Sequence, residues 1–168
     1  MKTVVVFYSR TGNTRKAAQA LARELGAEVE KITEPGSRAG FLGFLGAGRD
    51  AALKRLTPIE PLAFDPAAFD LVVVGTPIWA WTMASPVRTF LAQNAEKLKS
   101  VAFFCTEGGS GHERAFRQME ELAGKKPLAT LALLEKELRG DFGAKLKEFA
   151  KALAGTGSQP QMNTDKHG

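Results

Sequence analysis

The chain has 168 residues, 44% of them hydrophobic, which suits a single globular domain with a full core. It lacks an apolar run near the ~20 residues of a membrane span, a signal-peptide pattern and a second cysteine, so we expect a cytoplasmic protein without disulfides. The formal net charge of +5 permits an anionic partner, but no RNA-binding or DNA-binding motif accompanies it, and nucleic acid is not expected as a partner.

Strand-like and helix-like segments alternate along the chain. Five apolar or alternating runs predict strands at 3–9, 27–33, 70–77, 100–106 and 127–134. Helical spacing and capping residues predict helices at 14–25, 85–98, 111–124 and 145–153. The alternation predicts one α/β domain, residues 1–154, with a mostly parallel sheet covered by helices on both faces. Residues 155–168 include few apolar side chains and are expected to form a disordered tail.

A long insert of about 35 residues separates the second and third expected strands. It contains five glycines, and a helix is predicted only at 49–56. Its apolar side chains either line a substrate pocket or subunit contact, or simply cover the sheet; they are Phe41, Leu42, Phe44 and Leu45. The role of the insert stays open at this stage.

The first expected strand ends in a loop of small polar residues, and a helix begins directly after it. Donor groups are concentrated in Ser9, Arg10, Thr11, Gly12, Asn13 and Thr14. The free N–H groups and positive dipole of a helix start form an anion site, and Gly12 lets the backbone approach a ligand. Many donors with little bulk suit a phosphate; Arg10 adds charge or points to solvent, and we favour solvent. The loop matches neither the Walker A nor the dinucleotide-binding motif.

Two further loops follow strands and should share the same edge, because the carboxyl ends of parallel strands lie together. TPIWAWT, residues 76–82, holds both tryptophans of the chain and suggests a platform for a flat aromatic ligand. The alternative is that at least one of these indoles caps the core. TEGGSG, residues 106–111, offers glycine backbone N–H groups. Together the three loops suit a phosphorylated flat heterocycle.

In order and spacing, these loops resemble the three FMN-contacting loops of the flavodoxin family. The resemblance spans residues 1–154 and is carried by SRTGNT, GTPIWAWTMASPVRTFL and FFCTEGGSG. It implies a flavodoxin-like α/β fold, a three-layer sandwich with a five-stranded parallel sheet of strand order 2-1-3-4-5. It also implies one noncovalently bound FMN.

The resemblance further implies which residues contact FMN. The phosphate would be held by the first loop, from Ser9 to Thr14. The isoalloxazine ring would be flanked by five residues of the second loop: Pro77, Ile78, Trp79, Ala80 and Trp81. Its other side would be lined by four residues of the third loop: Thr106, Glu107, Gly108 and Gly109. No catalytic residue and no metal ligand is predicted.

Two departures from the electron carriers of this family bear on function. Such carriers are typically acidic around the flavin, whereas this chain is basic. They often place a tyrosine in the loop after the fourth strand, whereas that loop is glycine-rich here and the single tyrosine, Tyr8, is elsewhere. An open ring face would admit a small substrate.

The departures favour an FMN-dependent oxidoreductase that passes electrons from NAD(P)H or another donor to a small acceptor such as a quinone. The alternative is a non-enzymatic electron-transfer protein that docks on redox partner proteins. A homodimer is compatible with either hypothesis.

Other chemistries are disfavoured by residue spacing. A phosphatase loop needs C-x5-R, but Arg114 lies nine positions after Cys105, which we expect to be buried at a strand end. The GGSGH stretch lacks the final glycine of a nucleophile elbow, and His167, in the tail, is the only other histidine. We interpret His112 as a solvated residue at a helix start, with a minor proton-donor role left open.

Overall fold

The computed structural model describes residues 1–36 and 56–156. The predicted roles of Phe41–Leu45, nearly all of the helix predicted at 49–56, and the tail from residue 157 onward lie outside these ranges. Those three predictions, and the domain boundary at 154, therefore stay predictions.

A parallel sheet of five strands forms the centre of the molecule. The strands are β1 (Thr3–Phe7), β2 (Glu28–Lys31), β3 (Leu71–Trp79), β5 (Val101–Glu107) and β6 (Thr130–Leu134). A two-residue strand, β4 (Thr82–Met83), pairs antiparallel with the end of β3. The order of the parallel strands is β2-β1-β3-β5-β6. With β4 set aside, this is the predicted order 2-1-3-4-5, and the predicted fold class is confirmed.

Five helices flank this sheet in the described part of the chain. They are α1 (Asn13–Leu25), α2 (Ser85–Asn94), α3 (His112–Ala123), α4 (Glu135–Leu138) and α5 (Gly143–Thr156). The helix predicted at 85–98 is divided, because a 3-10 turn at Ala95–Lys97 follows α2. The sequence analysis missed the single-turn α4. Among residues 1–36 and 56–156, no helix has the length and apolar character needed to cross a membrane.

The core consists of two layers, one on each face of the sheet. Alternate residues of β1 divide between them: Val4 and Val6 face α2 and α3, whereas Val5 and Phe7 face α1 and α5. The central strands are buried on both faces, which explains why they appear in the sequence as continuous apolar runs and not as alternating patterns. Burial on both faces leaves the ends of these strands as the accessible positions for a site.

A close contact between β3 and β5 requires a glycine at position 75. Gly75 is paired with Phe104 across these strands. A Cβ added to Gly75 would lie 2.0–2.6 Å from three ring atoms of the fully buried Phe104. Real carbon atoms do not approach this closely, so the ring occupies the space that a side chain at position 75 would need.

We expect Gly75→Ala to lower the free energy of unfolding by about 1–3 kcal/mol, because the added methyl group overpacks the core. Urea denaturation measures this change. Gly140→Ala is the control, since its Cβ would meet an ordinary contact at 3.8 Å and its effect should stay within about 0.5 kcal/mol. The double variant Gly75→Ala/Phe104→Leu should recover part of the loss; additive losses would contradict the contact.

Candidate functional site

The parallel register brings three loops to one edge of the sheet. The end of β1 is beside Gly75 of β3, and Pro77 of β3 is beside Thr106 of β5. Direct contacts connect the loops: Thr14 bonds to Thr106, and the Trp81 Nε1–H donates to Ser110 Oγ at 3.4 Å. The sequence prediction that these loops share one edge is therefore confirmed.

The loop between β1 and α1 leaves the start of the helix free of a side-chain cap. Gly12 holds the N-cap position with φ of 98°, and no side chain of the described residues caps α1. Ser9 is buried, and its Oγ accepts the Gly12 N–H at 3.2 Å. Thr11 is exposed, and no other atom of the described residues lies within 4 Å of the position a Gly12 side chain would take. The first amides of α1 are thus available to an anion.

Two buried hydroxyl groups connect this loop to the end of β5. Thr14 Oγ1 and Thr106 Oγ1 are 2.8 Å apart, and either atom can be the donor. Both side chains are almost fully buried. Residues 92 positions apart are thereby held together, so the helix start and the loop after β5 have a fixed relative position. Sequence analysis predicted both threonines as cofactor contacts and did not predict that they bond to each other.

A tight hairpin replaces the loop expected after β3. β3 extends to Trp79, which pairs with Thr82, and the two-residue turn between them is Ala80–Trp81. Both turn residues have positive φ, 49° and 61°, as the twist of a two-residue hairpin demands. Ala and Trp are uncommon at such angles, which explains why no turn was predicted at these two residues. The indoles of Trp79 and Trp81 are 38% and 59% exposed, so neither of them caps the core.

The hairpin is anchored to both helices that follow it. The Ala84 N–H donates to Thr76 Oγ1 at 2.9 Å, and the Arg88 Nη2 donates to Thr82 Oγ1 at 3.1 Å. Thr82 also donates to Gln118 Oε1 on α3. These bonds hold the strained turn in one conformation, as is common at ligand sites.

Gly111, at the start of α3, lies directly beneath the hairpin. Its φ is 116°. A Cβ at this position would be 2.8 Å from the Trp81 Cα and 2.9 Å from Cγ2 of Ile78. Only a residue without a side chain allows α3 and the hairpin to approach this closely.

Tyr8, which the sequence analysis did not predict as a site residue, contacts the hairpin at this edge. Its ring contacts Trp79 edge-on, with centroids 6.0 Å apart, and its hydroxyl donates to Glu34 Oε1 at 2.9 Å. Burial, and then the bond to Glu34, raise the pKa of Tyr8, so the hydroxyl remains a donor. The signal that was missed is position: Tyr8 directly follows β1, beside the strand that carries Trp79.

Arg10 lies over Trp79 while remaining exposed. Its guanidinium carbon is 4.9 Å from the centroid of the Trp79 ring, a cation–π distance. The expectation that Arg10 points to solvent is therefore only partly right. Its charge lies next to the exposed indole of Trp79.

The carboxylate of Glu107 is buried and faces His112. Glu107 is 3% exposed; its Oε1 is 2.7 Å from His112 Nδ1, and its Oε2 accepts the His112 N–H at 3.1 Å. His112 is 39% exposed, so the interpretation of a merely solvated histidine was incomplete. Because both oxygens of Glu107 bond to His112, this side chain connects the end of β5 to the start of α3. Gly108 and Gly109, which lie between these two residues, are exposed.

Cys105 is fully buried in β5, as predicted. Burial, and then the nearby charge of Glu107, raise the pKa of its thiol, which keeps it protonated. A protonated, inaccessible thiol is a poor nucleophile, and this agrees with the exclusion of a phosphatase. Residues 1–36 and 56–156 contain no cluster of three or more His, Cys, Asp or Glu side chains that could hold a metal ion.

The residues at this edge fit a nucleotide with a flat ring. The uncapped α1 start suits a phosphate, the two exposed indoles suit a ring, and free space surrounds the backbone of Gly108 and Gly109. Such an edge defines a nucleotide-binding α/β protein of the kind whose ligand lies outside the carboxyl ends of the strands.

The family model described as "Flavodoxin" matches residues 51–146. The chain belongs to the flavodoxin family. This result confirms the suspected family and, with it, FMN as the predicted cofactor. No sequence among curated proteins matches the chain significantly.

Solved structures agree with this assignment. A flavoprotein from Lactobacillus acidophilus NCFM, in complex with FMN, is 24% identical over 82% of this chain and 96% of its own, with a TM-score of 0.64. The apo form of the flavoprotein from that organism is 26% identical over 82% and 95%, with a TM-score of 0.55. Two-electron reduced flavodoxin from Megasphaera elsdenii is 21% identical over 91% and 98%, with a TM-score of 0.58.

We expect Gly111→Ala to destabilise the protein and to displace Trp81, because the new methyl group would collide with the hairpin. The loss in unfolding free energy should exceed the ~1–2 kcal/mol that a positive φ alone costs a non-glycine residue. Gly124→Ala is the matched control: its φ is also positive, at 71°, but no described atom lies within 4 Å of its Cβ position. Tryptophan fluorescence should shift only in Gly111→Ala, and an equal shift in both variants would contradict the contact.

Proposed function

We propose that this protein is an FMN-dependent oxidoreductase that passes electrons from NAD(P)H or another donor to a small acceptor such as a quinone. The observation that carries the proposal is the meeting of an uncapped helix start, two exposed indoles and exposed glycine backbone at one edge of the sheet. The hypothesis includes a cytoplasmic location, and it is compatible with a homodimer.

Each loop has a distinct part in the proposed binding of FMN. The start of α1 would hold the phosphate, where Ser9 shapes the turn and the exposed Thr11 and backbone amides could donate to it. The hairpin that carries Trp79 and Trp81 would hold the ring. The backbone of Gly108 and Gly109 could donate to the polar edge of the ring. When bound, FMN supplies the hydride and electron chemistry that amino-acid side chains lack.

The shape of the site favours a small acceptor. The loop after β5 carries no aromatic side chain at its exposed positions, and no described atom lies within 4 Å of the Cβ positions of Gly108 and Gly109. A ring face that this loop does not cover with an aromatic side chain would admit a flat acceptor. The FMN complex of the Lactobacillus acidophilus flavoprotein supports the choice of cofactor, without identifying the acceptor.

The second candidate is an electron-transfer protein that docks on a redox partner. One observation favours it: Arg10, Trp79 and Trp81 form an exposed aromatic and cationic surface at the proposed site. Aromatic and arginine side chains are enriched at protein interfaces. A partner on this surface would be acidic.

We expect Thr11→Glu to abolish FMN binding, because a carboxylate in the phosphate loop repels a dianion. The dissociation constant should rise by roughly a hundredfold or more, the scale of a few kcal/mol of charge repulsion near a protein surface. Quenching of FMN fluorescence during titration measures it. Thr11→Gln, with the same size and no charge, should bind far more tightly than Thr11→Glu; equal binding by the two variants would contradict the assigned loop.

The FMN-loaded protein should oxidise NAD(P)H when a quinone is present. Visible bands near ~375 and ~450 nm are expected for the loaded protein, as for any oxidised flavin. Consumption of NAD(P)H, followed by absorbance, separates the two candidates. Absence of turnover with quinone, together with electron transfer to an acidic protein acceptor, would replace the first candidate with the second.

A further inference from the structure

We propose that His112 donates a proton to the acceptor in this site, and that Glu107 is the residue that positions it. This inference rests on the proposed function, which supplies the acceptor. It adds a catalytic residue, His112, to a site for which sequence analysis predicted none.

The geometry around His112 pairs Nδ1 with a carboxylate, and Nε2 has no hydrogen-bond partner among residues 1–36 and 56–156. Glu107 Oε1, 2.7 Å from Nδ1, accepts a hydrogen bond only if Nδ1 carries the proton, because an ionised carboxylate is an acceptor. The second oxygen of Glu107 accepts the backbone N–H of the same residue, so the carboxylate holds both ring and backbone. Nε2 is thereby assigned as the nitrogen that gains and loses a proton.

The surroundings hold the ring in place at the edge of the site. Phe116, one turn further along α3, contacts the His112 ring with centroids 6.0 Å apart. The preceding residue, Gly111, lies against Trp81 and Ile78 of the hairpin. His112 therefore directly follows the residue that lies against the hairpin proposed to hold the ring of FMN, and 39% of its side chain is exposed.

Glu107 is a buried carboxylate whose bonds in the described part of the chain go to His112, and its burial needs an explanation. Burying a charge is costly unless it is bonded, and Glu107 is bonded to one residue through both of its oxygens. A neutral glutamine could connect β5 to α3 by accepting the same backbone N–H of His112. A carboxylate in addition controls the tautomer of the His112 imidazole, and a proton-donating histidine needs a defined tautomer.

The proposed reaction balances with one proton from His112. Reduction of a quinone to a quinol takes two electrons and two protons. NAD(P)H supplies two electrons and one proton as a hydride equivalent and leaves as NAD(P)⁺. The second proton moves from Nε2 of the His112 imidazolium to a quinone oxygen as that oxygen gains negative charge. This leaves a neutral imidazole with its proton on Nδ1, and Nε2 then takes up a proton from solvent.

Two acceptors that differ in proton demand test this role. The FMN-loaded protein, reduced with one equivalent of dithionite under nitrogen, is mixed with menadione or with ferricyanide, which takes electrons without protons. His112→Gln should lower the ratio of the menadione rate to the ferricyanide rate by about a hundredfold, the lower end of general-acid contributions. Glu107→Gln should lower the ratio by a smaller factor, because the imidazole remains.

The matched controls are His167→Gln, the same change at the other histidine, and Glu113→Gln on the exposed side of α3. Both should keep the wild-type ratio. A ratio within about threefold of wild type in FMN-loaded His112→Gln would overturn the proposal. Failure of the wild-type chain to bind FMN would instead refute the proposed function itself, so the two failures are distinguishable.

A second measurement is independent of turnover. Nitrogen-15 NMR of the FMN-free protein should show neutral His112 with its proton on Nδ1, the less common tautomer. Glu107→Gln should weaken this preference, while the tautomer of His167 should not change. A neutral His112 protonated on Nε2 in the wild-type chain would contradict the positioning role of Glu107.

Discussion

Parallel pairing of β1, β3 and β5 is the constraint on which the site depends. Since these strands run in the same direction, their carboxyl ends meet at one edge, and each carries a loop that contacts another loop. The buried bond between Thr14 and Thr106 then fixes the distance between the start of α1 and the loop after β5. Loss of this register would separate the loop proposed to hold the phosphate from the indoles.

The hairpin shows how the protein exposes two large aromatic side chains at a defined position. Positive φ at Ala80 and Trp81 costs of the order of 1–3 kcal/mol per residue, and bonds to α2 and α3 offset this cost. A relaxed loop would leave the indoles free to collapse onto apolar surface. The hairpin therefore holds in advance the surface proposed to bind the ring, and such preorganisation reduces the entropy lost on binding.

Sequence patterns predicted the fold and the meeting of three loops at one edge of the sheet because both depend on local signals. Continuous apolar runs predicted the buried strands, and the polar run after Tyr8 predicted a loop followed directly by a helix start. The turn at Ala80–Trp81 could not be predicted, since its angles are imposed by pairing of Trp79 with Thr82 and not by turn residues. The bond from Tyr8 to Glu34 could not be predicted either, because it joins segments 26 positions apart whose distance is set by tertiary packing. The pairing of Glu107 with His112, five positions apart, was missed although it is local in the sequence.

A catalyst and an electron carrier require different surroundings for the two indoles: a catalyst needs room for a small molecule, and a carrier needs a docking surface. The structure has one feature that favours each hypothesis. Glycine backbone beside the hairpin favours entry of a small molecule, whereas Arg10 over Trp79 favours contact with an acidic surface. The Glu107–His112 pair serves only the first of these, because electron transfer between proteins needs no proton donor at the acceptor. A proton-transfer role for His112 would therefore also decide between them.

The single thiol of the chain, Cys105, can serve as a probe of opening of the sheet. Cys105 is enclosed in the central part of the sheet, so an alkylating reagent reaches it only when β5 separates from its neighbours. The rate of its modification therefore depends on opening of the sheet and is insensitive to movements of the surface loops. Slower alkylation in the presence of a ligand would measure the affinity of that ligand for the folded chain, without any optical signal from the ligand itself.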